Sequence, residues 1–105
     1  MNTKHKNIES LVTRVYEEVR NIIKEAYEKR STEFKSEAIN WGDLKITKIQ
    51  IGSCYRPNIG KPAGKFIAVV IEEAAPDCFK LHDFIAERLR KIVPQDFEIR
   101  IITEW

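Results

Sequence analysis

Three groups of residues in this sequence have types and spacings that could do chemistry. Cys78 and His82 stand four apart, which on a helix puts them on one side, as two zinc ligands or as a thiol with a basic partner one turn away. A closed zinc site needs four ligands, and beyond Cys54 only Asp77 and Asp83 offer themselves, with no spacing rule to recruit them. A helix N-terminus would activate the Cys78 thiol, but burial and the neighbouring Asp77 act the other way, and no glycine arrangement forms an oxyanion site. The reading is therefore no catalytic residue, no metal and no cofactor. Both cysteines are expected to be small apolar fillers kept as thiols.

The second group is Tyr55, Arg56, Lys61 and Lys65, a basic and aromatic mixture that could meet phosphate or single-stranded nucleic acid. Its glycines are spaced Gly60-x-x-x-Gly64, which fits neither the P-loop nor the dinucleotide fingerprint. Positive charge on a loop also discourages edge pairing of strands, without any ligand. The third group, Glu72, Glu73 and Asp77, has the makings of a paired-carboxylate site, and a solvated strand end accounts for it equally well.

Composition limits the field further. The chain has 105 residues, of which 43% are apolar, enough for one domain and one modest core. Eighteen Lys and Arg stand against sixteen Asp and Glu, a formal net charge of +2, so any basic surface must be local and offset elsewhere. Met1 to Lys6 runs directly into charged sequence without a secretory apolar core, and no stretch approaches the roughly 20 apolar residues of a membrane span. A cytoplasmic location is expected.

The elements that must position these residues can be read from periodicity. Ile8, Leu11, Val12, Val15, Tyr16, Val19, Ile22, Ile23, Ala26 and Tyr27 follow the i, i+3, i+4, i+7 spacing of one helical face. This predicts a helix over about 7–30, with Asn7 as its N-cap. Residues 31 to 43 have no clear period and form a connection. A hairpin follows over about 44–73. In its first strand Leu44 and Ile46 share one parity and Ile49 and Ile51 the other, which a β-bulge near Thr47-Lys48 reconciles. Its second strand, Phe66 to Ile71, is apolar at both parities and belongs at the centre of a sheet. Pro76 and Asp77 open a second helix over about 76–93, and a strand over about 97–103 returns parallel to the hairpin's second strand. The fold expected is α+β: a two-layer α-β-β-α-β sandwich, with a three-stranded mixed sheet and both helices on one face.

Such a layout leaves one face of a two-sided apolar strand to be covered. One of the sets Phe66, Ala68, Val70 or Ile67, Val69, Ile71 must lie on the face without helices, and a contiguous apolar patch of that kind marks an interface. The first helix, about 20 residues or about 30 Å, outruns six-residue strands, so part of its stripe overhangs. The expected interface is Ile67, Val69 and Ile71 with Val15, Val19 and Ile22 of the first helix, closed by a second copy of the chain. The alternative is that residues 31 to 43 and Trp105 fold over the open face and keep the chain monomeric.

In order of elements, residues 8 to 103 are similar to the helix, hairpin, helix, strand modules that include type II KH-like domains and the cytoplasmic dimerisation domain of cation-efflux transporters. The likeness is one of layout, and the GxxG clamp of an RNA-binding KH domain does not occur. The function expected is a non-enzymatic module that self-associates as a homodimer and offers its loops to a partner protein. The alternative is a nucleic-acid-binding module using Arg56, Lys61, Lys65 and Tyr55, joined by Lys45 and Lys48.

Overall fold

The computed structural model describes residues 3–54 and 64–105, with side chains over 9–53 and 64–105. The chain runs α1 (Thr3–Glu28), β1 (Lys45–Cys54), β2 (Gly64–Glu72), α2 (Phe79–Leu89) and β3 (Phe97–Glu104). The strands form one sheet in the order β1-β2-β3, antiparallel between β1 and β2 and parallel between β2 and β3. Both helices lie on one face, α1 against β1 and α2 against β3, and they touch each other. The α+β sandwich expected from periodicity is the fold observed.

The core is where the two amphipathic stripes meet the sheet. Val15, Val19, Ile22 and Ala26 of α1 are buried, as are Leu81, Phe84, Ile85 and Leu89 of α2. Ile67, Val69 and Ile71 of β2 lie beneath them, each with no exposed surface. The bulge falls between Ile46 and Lys48. It keeps Ile46, Ile49 and Ile51 on one side, in register with Ile71, Val69 and Ile67, and all three pack on the core.

Element ends depart from the sequence reading in physically instructive ways. Helix α1 begins at Thr3, four residues before Asn7, and ends at Glu28, where Lys29 and Arg30 donate to the carbonyls three back, Ala26 and Tyr27. Helix α2 begins at Phe79, three residues after Pro76, so Pro76 and Asp77 form the turn that precedes it. Cys78 makes no side-chain cap there. A remote carboxylate does that work: Glu37 Oε1 accepts the Leu81 N–H at 2.8 Å. At the other end the Arg90 guanidinium donates to the carbonyls of Phe97, Val93 and Pro94 and fixes the turn into β3. The strands run 10, 9 and 8 residues, longer than expected, but α1 has 26 residues, about 39 Å, and still outruns them.

Candidate interaction surface

The second parity of each strand faces away from the helices. Across the sheet its residues line up in rows: Gly52, Phe66 and Glu98; Gln50, Ala68 and Arg100; Lys48, Val70 and Ile102; Lys45, Glu72 and Glu104. The middle of this face is apolar, and Ile102 keeps 43% of its surface exposed. Charge is unevenly distributed about that middle, with Arg100 the one cation on the β3 side. Lys45 and Lys48 stand on β1, Glu98 and Glu104 on β3, while Glu72 sits at the end of β2 within 3.7 Å of the Lys45 ammonium. The Phe66 ring lies over Gly52, so close that a Cβ there would stand 2.6 Å from the ring. Arg100 stacks on the Phe66 ring at 4.2 Å and reaches Glu98 at 3.2 Å.

The connection between α1 and β1 is packed on the helical layer. Phe34 is buried edge-on against Phe84 of α2, with centroids 5.2 Å apart, and Trp41 lies against Phe34 and against Tyr27 of α1. The backbone ties the segment down at the same end: Ala75 donates to the Ala38 carbonyl at 2.9 Å, Asn40 donates to Glu73 at 2.8 Å, and Ile39 bridges Ala74. Residues 34–41 therefore close the end of the helix pair, and Trp105 is 65% exposed. Neither provides the cover for the open sheet face that a monomeric reading calls for.

The six residues expected at the interface are placed otherwise. Ile67, Val69, Ile71, Val15, Val19 and Ile22 are all buried in the chain's own core, so none offers a surface to a partner. The physical reason is the symmetry of β2. Both of its parities are apolar, so its own sequence does not say which one the helices take. Phe66, Ala68 and Val70 are the set that faces away. Two signals point to this side: the clean alternation of Glu98, Arg100, Ile102 and Glu104, and Gly52 in a strand, which asks for a large neighbour. Ile102, Arg100 and Gly52 were not among the residues expected there.

Of the basic loop, Tyr55, Arg56 and Lys61 lie outside the described residues. Lys65 is exposed at the start of β2, 3.2 Å from Asp96 and over the Phe97 ring at 5.5 Å. The carboxylates of the third group are separated in role: Glu72 pairs with Lys45, Glu73 makes the turn after β2, and Asp77 lies in the turn before α2.

The Cys78 and His82 pair is built into the packing. The Cys78 thiol is buried and donates to the Ala38 carbonyl at 3.4 Å. Burial pushes its pKa up, and the negative charges of Glu37 and Asp77 add to this, which keeps it a thiol and a poor nucleophile. His82 Nε2 meets the Thr103 hydroxyl at 2.7 Å, and that hydroxyl donates its one hydrogen to the Ala75 carbonyl at 2.6 Å. The imidazole must then donate through Nε2. Burial lowers the His82 pKa, opposed by Glu37 and Asp83. Among the described residues no three His, Cys, Asp or Glu side chains gather as metal ligands, and the Cys54 side chain is outside them. A cleft of 610 Å³ runs along the α1 and α2 seam, spanned by Arg88, which grips both carboxylate oxygens of Glu25 at 2.9 and 3.1 Å.

Fold and surface together define a small two-layer α+β module with an open sheet face, apolar at its centre, with Lys45 and Lys48 on one side and Glu98, Arg100 and Glu104 on the other. No family model matches the chain, and no curated protein and no solved structure is significantly similar to it. No helix among the described residues is long and apolar enough to cross a membrane.

Proposed function

We propose that the chain is a non-enzymatic interaction module that self-associates through the open face of its sheet and leaves its helical layer and loops for a partner protein. The observation that carries this reading is the position of residues 34–41: they are spent on the helical layer and leave the outward-facing Phe66, Val70 and Ile102 uncovered by them, half-buried at Phe66 and Val70 and exposed at Ile102. A contiguous apolar strip at the centre of a flat face is the surface that association buries.

Charge favours this over nucleic acid. The open face carries Lys45, Lys48 and Arg100 against Glu72, Glu98 and Glu104, equal numbers of each sign. A face of zero net charge gains little from phosphate neutralisation, whereas opposite charges on the same face can pair between two copies. Lys65, the described member of the basic loop, already has Asp96 beside its ammonium. The working form on this reading is a homodimer, with the cytoplasmic location proposed from the sequence alone.

The test is the solution mass of the ligand-free protein by light scattering over a range of concentrations. The proposal expects the mass of two chains at the upper end of the range. The mass of one chain at every concentration would refute self-association, and retardation of RNA or DNA at low salt would revive the nucleic-acid reading.

A further inference from the structure

Resting on that reading, we infer that the second copy docks sheet to sheet about a two-fold axis parallel to β2, with β1 of each copy over β3 of the other and Lys45 of each facing Glu104 of its partner. Two face-to-face arrangements combine two-fold symmetry with aligned strands. An axis along the strands exchanges the sides of the sheet and keeps the rows. An axis across the strands keeps the sides and exchanges the rows, so that β1 lies over β1. Packed sheets stand about 10 Å apart with strands within about 30° of each other, so opposed positions on the two faces are in reach of long side chains.

The rows of this sheet separate the two arrangements. With the axis along β2, the row of Lys45, Glu72 and Glu104 meets its own copy reversed: each Lys45 stands over a Glu104, and the two Glu72 meet on the axis, each beside its own Lys45 at 3.7 Å. The row of Lys48, Val70 and Ile102 does the same: Val70 meets Val70, and the stem of Lys48 covers Ile102. In the next row Gln50 meets Arg100, an acceptor against a donor. With the axis across the strands through Val70, Glu104 meets Arg100, but Lys48 meets Lys48 and Glu72 meets Ala68; with it through Ala68, Ile102 meets Glu98 and Lys48 meets Gly52. Whereas the axis along β2 gives Lys45 an acidic neighbour from the other copy and sets Glu98 over Gly52, this last one sets Glu98 against Ile102 and leaves both lysines without such a neighbour. It loses apolar contact and desolvates charge without pairing it.

The experiment uses charge reversal and mixing. Lys45→Glu and Glu104→Lys are made separately in the full chain, and dimer dissociation is followed by sedimentation at low salt, alone and mixed. Each variant alone sets like charges opposite each other twice per dimer, and dissociation should strengthen on the order of tenfold. The equimolar mixture restores both pairs and should recover wild-type affinity, whereas the loss of the Lys45 and Glu72 contact within one chain would not be rescued by mixing. Variants that dimerise as wild type, or a mixture no tighter than its components, would overturn the parallel arrangement. Val70→Glu keeps this failure distinct from failure of the underlying reading. If Val70→Glu breaks the dimer while the charge variants are silent, the open face associates in another orientation. If Val70→Glu leaves the dimer intact, the open face is not the interface, and the inference falls with it.

Discussion

The ring of Phe66 occupies the space where a side chain on Gly52 would begin, with its tip 2.6 Å from the position of a Cβ there. The two residues are direct cross-strand partners. A glycine in an edge strand exposes backbone and packs nothing, and an aromatic ring laid over it from the neighbouring strand repairs both losses. Arg100 then stacks on the ring. The three residues close one end of the open face.

This relationship predicts a coupling. Gly52→Ala alone should destabilise by about 1 kcal/mol, because the ring must leave its seat and the Arg100 stack. In a Phe66→Ala background the same change should be neutral or stabilising, since alanine suits a strand better than glycine. Urea denaturation of the four proteins gives the coupling energy, expected at about 1–2 kcal/mol. Additive effects would mean that the ring and the glycine are independent.

Glu73 lies at φ 74, the left-handed region, as the chain leaves β2. The conformation lets its N–H donate to the Glu104 carbonyl at 2.7 Å while its own carbonyl accepts from Asn40. Left-handed backbone costs a side-chain-bearing residue about 1–2 kcal/mol, and glycine recovers this less its greater freedom in the unfolded chain. Glu73→Gly should stabilise by about 0.5–1 kcal/mol in thermal or urea denaturation.

His82 makes stability depend on pH. Its folded pKa lies below the ordinary histidine value of 6.5 because burial disfavours the charged ring. Between the two values the unfolded chain binds more protons, so stability is fully present above 6.5 and falls as pH drops towards the folded value. His82→Gln should flatten the dependence in that window, measured by urea denaturation from pH 5 to 8. Thr103→Val removes the hydroxyl that joins His82 to the Ala75 carbonyl and should cost about 1–3 kcal/mol at pH 7.5.

The layout of this fold is legible because its signals are local. The stripe of α1, the bulge that rejoins Ile46 to Ile49, the apolar run of β2 and the alternation of β3 each follow from the period of one element. What is not legible depends on contacts distant in sequence. The start of α2 is fixed by Glu37, 44 residues away from the Leu81 amide it accepts. The role of residues 34–41 depends on a meeting of Phe34 with Phe84, which no period announces. The choice between the two parities of β2 is the least legible feature. Val69 and Val70 are chemically identical neighbours, and only the packing of the helices makes one core and the other surface.

That pair supplies the sharpest test. The central claim is that the face bearing Val70 is where a second copy binds, and the direct measurement is the solution mass of Val70→Glu beside wild type by light scattering at matched concentrations. Circular dichroism should show the same fold for both, whereas Val69→Ala, a core truncation, should lose about 1–3 kcal/mol of stability without any change designed into the open face. The account predicts two chains for wild type and one for a folded Val70→Glu. A folded Val70→Glu with the mass of wild type would contradict it.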